Sequence, residues 1–173
     1  MTQPEKLAIH GGEPVAREPF PTGFLGPDEI GEPEIEAVTS VLRSKKVFRF
    51  LDHPNSYCTR LEKHFKEMTG REYALAVGGG TAALVSAFVG VGIGEGDEVI
   101  IPGYTYIATA AAVLICGAVP VICEIDESLT MDPADIEKKI TPRTKAIVPV
   151  HMRGLPCDMD RLETLASNHD LLL

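Results

Sequence analysis

The sequence contains no apolar run long enough to cross a membrane. A helical span needs about 18–20 consecutive apolar residues, and the longest candidate, residues 107–121, is interrupted by Gly117 and Pro120. The first residues lack a basic start followed by an apolar core, so no secretory signal is expected. These absences predict a cytoplasmic protein without membrane contacts.

Basic charge and paired cysteine motifs are also scarce. The 173 residues carry 16 Lys and Arg against 25 Asp and Glu, for a net charge of −9. This excess of acid argues against nucleic-acid binding, and any bound phosphate must be held by local donors. The four cysteines follow no CxxC spacing, so we expect no metal site and four free thiols, at Cys58, Cys116, Cys123 and Cys157.

The common phosphate and hydrolase motifs are missing, and a different glycine-rich segment is present. The chain has no GxGxxG followed by an acidic residue, GxxxxGK[ST], HExxH or GxSxG. Gly78–Thr81 (GGGT) instead joins a strand predicted over residues 73–77 to a helix predicted over residues 82–91. Such a junction points free backbone N–H groups and the positive helix end at one spot. Two interpretations stay open: a phosphate-binding turn, or a turn that needs glycine at positive φ.

Strands and helices alternate along most of the chain. Residues 1–28 have no periodicity and are predicted to form an arm, whereas residues 29–173 form one α/β domain. Its strands are apolar throughout, which predicts a mostly parallel sheet with helices on both faces. The predicted strands are residues 73–77, 98–101, 119–125 and 145–150, with another beginning at 171–173; the predicted helices are residues 32–43, 56–68, 82–91, 106–115, 133–140 and 159–167.

Ligands in such sheets bind at the carboxyl ends of the strands, where two further side chains are candidates. Tyr106, with Tyr104, is either a flat surface for a planar ligand or a core aromatic residue. His151 is either a base or ring contact, or a structural histidine. Glu124 and Asp126 are either a carboxylate pair or part of an acidic turn.

Two segments together resemble a known family. They are AVGGGTAALVSAFVGVGIGEGDEVIIPGYTYIATAAAVLICGAVPVICEID and ITPRTKAIVPVHMRGLPCDMDRLETLA. Their order is similar to that of the DegT/StrS sugar and cyclitol aminotransferases, which have fold type I and use pyridoxal 5′-phosphate. The resemblance runs from about Ile30 to the last residue.

The resemblance implies roles for individual residues. Gly80, Thr81 and Ala82 match the family's phosphate-binding turn, and Gly79 stands in that turn where many relatives have Ser. Tyr106 matches the aromatic residue that stacks on the cofactor ring. His151 matches the histidine of the family's His-x-x-Gly segment beside the cofactor.

The resemblance also implies what the chain lacks. The aspartate that pairs with the pyridine nitrogen, the Schiff-base lysine and the small domain come later in family members, and no lysine of this chain matches the catalytic position. We therefore expect no catalytic residue in this chain. It is expected to be part of a longer protein, or one chain of a split enzyme, acting with a second copy of itself or a complementing C-terminal chain.

The implied reaction moves an amino group from glutamate or glutamine to the keto group of a nucleotide-linked sugar or a cyclitol. Two alternatives remain. One is a dehydratase relative in which histidine replaces the catalytic lysine. The other is a non-catalytic partner subunit of a full-length aminotransferase.

Overall fold

The computed structural model describes residues 6–14, 16, 18, 26–51 and 55–173. These fall into two compact units, residues 1–60 and 61–173. Much of the predicted arm, together with residues 52–54, lies outside the described residues.

The first unit is built around one amphipathic helix. Two short 3-10 turns, Ala8–His10 and Gly26–Glu29, precede helix α1, Glu32–Ser44. Glu34 Oε2 accepts a hydrogen bond of 2.8 Å from the Gly31 amide and so helps to start the helix. The helix ends at Lys45, which has a positive φ of 59°.

The apolar face of α1 is exposed. Ile35, Val38 and Leu42 lie along one side, as the helical spacing predicts, yet they are 53%, 60% and 63% exposed. No residue of α1 is buried. An apolar stripe of this kind stabilises a helix only when something covers it.

Helix α2, Tyr57–Thr69, agrees within one residue at each end with the helix predicted over residues 56–68. Gly70 follows it with a φ of +68°, the left-handed conformation that commonly closes a helix. The Gly70 amide donates to the Lys66 carbonyl at 2.9 Å.

The second unit contains a three-stranded parallel sheet. Its strands are β1, Glu98–Pro102, β2, Val119–Cys123, and β3, Thr144–Ile147, in the order β2-β1-β3. Every residue of the central strand β1 is buried. Leu172 extends the sheet beside β3 through two 2.9 Å hydrogen bonds, one to the Lys145 carbonyl and one from the Ile147 amide.

Helices cover both faces of the sheet, which confirms the predicted α/β architecture. Val99 and Ile101 of β1 pack in one buried cluster, and Ile100 packs in the other. The first cluster contains side chains of α3, Gly80–Gly90, and α4, Ala108–Ile115; the second contains side chains of α5, Pro133–Lys139, and α6, Met159–Asn168.

The prediction of a strand at residues 73–77 is wrong. These residues have no regular secondary structure, and Tyr73 and Leu75 are 81% and 66% exposed. A strand needs a neighbour for its backbone groups, and none among the described residues pairs with this segment. The Ala76 amide donates a hydrogen bond of 2.8 Å to Glu62 Oε1 on α2.

Candidate functional site

The glycine-rich turn opens helix α3. Gly79 is extended, with φ 173° and ψ 167°, and the helix begins at Gly80. The first backbone bond of the helix runs from the Ala83 amide to the Gly79 carbonyl at 3.0 Å. The amides of Gly80, Thr81 and Ala82 therefore precede the helical ladder, and no acceptor for them is found in the part of the chain that the structure describes.

Neither the backbone conformation nor the packing of this turn requires glycine. Gly78, Gly79 and Gly80 do not have the left-handed φ that favours glycine, so the interpretation as a turn that needs glycine at positive φ is wrong. A Cβ placed on any of them would meet no heavy atom within 4 Å. By contrast, a Cβ on Gly103 would lie 3.3 Å from the Cys123 carbonyl oxygen, and Gly117 has a φ of +79°. The space beside Gly78–Gly80 is thus open for another molecule.

Tyr106 lies between β1 and α4 with its ring open to solvent. It is 74% exposed, so the interpretation as a core aromatic residue is wrong for it, and Tyr104 is 37% exposed. The loop before it is tied to the helix because the hydroxyls of Thr105 and Thr109 lie 2.8 Å apart and Thr109 is buried. An exposed ring on an anchored loop can contact a planar ligand.

His151 follows β3 and begins a short 3-10 turn, Met152–Gly154. Its Nδ1 accepts a hydrogen bond of 3.1 Å from the Cys157 amide. The residue is exposed. Arg153, in the centre of this turn, has a positive φ of 56° and is exposed.

The topology brings these residues to one edge of the sheet. Strands β1 and β3 are parallel neighbours, so the segments that follow them, with Tyr106 and His151, begin at the same edge. Helix α3 leads through residues 91–97 into the amino end of β1. Its first turn, with Thr81, therefore lies toward that carboxyl edge.

The acidic residues after β2 form a turn. The strand ends at Cys123, and Asp126 Oδ1 accepts a 2.8 Å hydrogen bond from the Ser128 amide. Hydrogen bonds from the Ser128 hydroxyl and amide lower the pKa of the Asp126 carboxyl. Glu124 instead uses its amide, which donates to Asp135 Oδ2 at 2.8 Å. Of the two interpretations of this pair, the turn is the one that fits.

A buried carboxylate at the opposite edge was not found from the sequence. Glu98, at the amino end of β1, is 5% exposed and accepts a hydrogen bond from the Thr141 hydroxyl at 2.5 Å. It also pairs with the Arg143 guanidinium. The Thr141 hydroxyl, ahead of Arg143, holds the pKa of Glu98 below its ordinary value of 4.5, against the opposing effect of burial. Thr141 and Arg143 lie more than 40 residues along the chain from Glu98, so no local sequence pattern predicts these contacts.

All four cysteines are free thiols, as expected. Burial raises the pKa of Cys123 to about 12, which makes its thiol unreactive. Among the described residues, no cluster of His, Cys, Asp or Glu could hold a metal ion. In the same part of the chain, no helix combines the length and the apolar character of a membrane span.

Comparison with known proteins identifies the family. The model of the DegT/DnrJ/EryC1/StrS aminotransferase family matches residues 28–173. The chain belongs to this family. The predicted resemblance is thereby confirmed, as is the fold of the PLP-dependent aminotransferases.

Individual relatives of this family member match most of the chain. It is 41% identical over 170 residues to a putative L-glutamine:3-amino-2,3-dideoxy-scyllo-inosose aminotransferase of Streptomyces kanamyceticus, covering 98% of this chain and 39% of the relative. It is 48% identical over 118 residues to the GDP-perosamine synthase of Caulobacter vibrioides, covering 68% and 32%. The chain thus spans well under half the length of these curated relatives.

A solved structure of a related protein contains the cofactor in its amine form. The structure of NtdA from Bacillus subtilis with bound PMP is 33% identical, with a TM-score of 0.73. It is matched over 90% of this chain and 36% of that one.

Proposed function

We propose that this chain supplies the cofactor-binding edge of a PLP-dependent aminotransferase that acts on a keto sugar or keto cyclitol. The glycine turn at Gly78–Gly80 carries the proposal. These glycines are required neither by a left-handed φ nor by close packing, and at the start of a helix their missing side chains leave room for a ligand to approach the backbone.

The residues of the turn fit a phosphate ester. The amides of Gly80, Thr81 and Ala82 are free of the helical ladder, and they stand at the positive end of an 11-residue helix. The Thr81 hydroxyl adds a further donor. The net charge of the protein is −9 and repels an anion, so these local donors must supply the attraction that binds the phosphate.

Tyr106 and His151 would orient the rest of the cofactor. The exposed Tyr106 ring offers a flat apolar surface to the pyridine ring, and His151 offers a ring nitrogen at the same sheet edge. When bound, pyridoxal phosphate supplies the electron sink for bond breaking next to nitrogen. In this account the chain's own residues bind and orient, and none of them transfers the proton.

We further propose that the amine that binds the cofactor covalently is not one of the lysines beside the sheet of this chain. Lys138 and Lys139 end α5 just before β3, and Lys145 lies near the start of β3. These three lysines therefore lie toward the amino edge of the sheet, opposite Thr81 and Tyr106. The remaining lysines are Lys6, Lys45, Lys46, Lys63 and Lys66.

The substrate class follows the relatives. The Streptomyces relative is named as a glutamine-dependent cyclitol aminotransferase and the Caulobacter relative as a GDP-perosamine synthase. We propose glutamine or glutamate as the amino donor, and a keto cyclitol or nucleotide-linked keto sugar as the acceptor. We also propose that the working protein is a homodimer or includes a complementing chain, since the apolar side of α1 is uncovered.

Two glycine-to-alanine variants test the cofactor role. Gly79→Ala places a methyl group in the open space beside the turn, whereas Gly90→Ala places one in equally open space at the far end of the same helix. Neither glycine has a left-handed φ, so both variants are expected to fold. Loss of one or two charge-assisted hydrogen bonds to the phosphate predicts at least about a tenfold weaker affinity for pyridoxal phosphate in Gly79→Ala alone.

Cofactor affinity is measured by titration, followed by the absorbance of the bound cofactor. Equal affinity in wild-type protein, Gly79→Ala and Gly90→Ala would overturn the proposal. Equal loss in both variants would also contradict it, because the effect would then not belong to the turn.

A further inference from the structure

A hydrogen-bond donor beside the His151 ring fixes which ring nitrogen carries the proton in the neutral form. A backbone N–H can only donate, so the nitrogen that it faces must present a lone pair. The Cys157 amide lies 3.1 Å from His151 Nδ1. In the neutral ring the proton therefore sits on Nε2.

The Cys157 donor is held in place by the core. Its side chain is 5% exposed and packs with Ile100, Ile136 and Leu162. Its Sγ–H also donates to the Val150 carbonyl at 3.3 Å. The residue is thus fixed both to the protein interior and to the backbone just before His151.

Two backbone hydrogen bonds close the turn between His151 and Cys157. The Gly154 amide donates to the His151 carbonyl at 3.0 Å, and the Leu155 amide donates to the Met152 carbonyl at 3.1 Å. These bonds help to hold the Cys157 amide opposite the His151 ring.

The second ring nitrogen of His151, Nε2, is available to another molecule. The His151 side chain is exposed, and its Nε2 has no hydrogen-bond partner within residues 6–14, 16, 18, 26–51 and 55–173. An exposed ring nitrogen without a protein partner can donate to a ligand or to water.

We propose that Cys157 is a positioning residue whose amide fixes His151 as an Nε2–H donor toward an oxygen atom of the ligand bound at this sheet edge. The inference rests on the proposed function only for the presence of that ligand. The fixed tautomer is a property of the free protein. Its consequence is a preset donor that needs no rearrangement when the oxygen arrives.

Nitrogen NMR of the 15N-labelled protein tests the tautomer directly. We expect a through-hydrogen-bond coupling between the Cys157 amide nitrogen and His151 Nδ1, together with the signature of a ring protonated at Nε2. The His151→Asn variant assigns the signals, and the exposed His64 serves as an internal reference. A missing coupling, or a ring protonated at Nδ1, would overturn the proposal.

Two variants separate the amide from the thiol. Cys157→Ala keeps the donor and is expected to keep the coupling and the single tautomer. Cys157→Pro removes the donor, so the ring should lose the single-tautomer signature. Loss of the signature in Cys157→Ala, or its persistence in a folded Cys157→Pro, would contradict the role of the amide; if Cys157→Pro does not fold, the wild-type coupling decides.

Addition of pyridoxal phosphate tests the donor role separately. The Nε2 proton signal of His151 should shift on binding, and an unmoved signal in a protein that binds the cofactor would refute the donation. If the cofactor fails to bind while the coupling is present, the proposed function fails and the tautomer stands. If the cofactor binds while the coupling is absent, the inference about Cys157 fails alone.

Discussion

Replacing Glu98 by glutamine should expose the contribution of one buried charge to stability. The Glu98 side chain is 6% exposed and accepts from the Thr141 hydroxyl, and it pairs with Arg143, whose side chain is 68% exposed. Glutamine keeps the shape and one acceptor oxygen but removes the charge. The change therefore isolates the charge-assisted part of these contacts.

The expected loss at neutral pH is about 1–2 kcal/mol. A hydrogen bond to a charged group contributes about 1 kcal/mol more than a neutral one. The pair with the exposed Arg143 adds less than about 1 kcal/mol, because water screens it. For a chain of this size, the sum corresponds to a fall in Tm of about 2–8 °C.

The difference between wild type and variant should depend on pH in one direction. Because the folded state holds the pKa of Glu98 below its ordinary value of 4.5, its stabilising effect is fully present above that value. It is lost as the pH falls through the depressed pKa. Below that point wild-type Glu98 is neutral like glutamine, so the two stabilities should converge.

Denaturant unfolding of both proteins at pH 7 and at successively lower pH measures this difference. Glu163→Gln, on the exposed side of α6, is the matched control and should change stability by less than about 0.5 kcal/mol at every pH. A Glu98→Gln variant as stable as wild type at pH 7 would refute the reasoning. So would a difference that persists unchanged into acid.

Three further changes test other parts of the account. Lys45→Gly should raise the free energy of unfolding by about 0.5–1 kcal/mol, because Lys45 ends α1 with a φ of 59°; a loss measured by denaturant unfolding would contradict this. Ile100→Ala should destabilise by about 2–5 kcal/mol because its side chain is fully buried, whereas Ile122→Ala, 60% exposed, should change little; equal effects in thermal unfolding would refute the assigned core. Borohydride reduction with pyridoxal phosphate, read by peptide mass mapping, should give no stoichiometric adduct on any lysine of this chain; one such adduct tied to turnover would overturn the assignment of the amine to another segment.

The sheet and its covering helices could be predicted because their signals are local. Apolar runs interrupted by glycine and proline mark β1, β2 and β3. Asp132 and Asp158 directly precede α5 and α6, where aspartate commonly caps a helix, and their carboxylates accept from the Ala134 and Arg161 amides. Parallel pairing then placed the candidate ligand-binding residues at one edge without further information.

Features that depend on distant partners could not be predicted in this way. The segment at residues 73–77 has the composition of a strand, but an exposed strand without a paired neighbour does not form. The contact between Glu98 and Thr141 joins residues 43 positions apart. The hydrogen bond from Cys157 to His151 depends on the path of an irregular turn, which residue types alone do not specify.

The central claim is that the glycine turn before α3 grips the phosphate of the cofactor. It is tested most directly by comparing the affinities of pyridoxal 5′-phosphate and pyridoxal, which lacks the phosphate, in wild-type protein, Gly79→Ala and Gly90→Ala. The account predicts that wild type and Gly90→Ala bind the phosphate form at least about tenfold more tightly than pyridoxal, and that this preference collapses in Gly79→Ala. A preference for the phosphate form that is the same in all three proteins would contradict it.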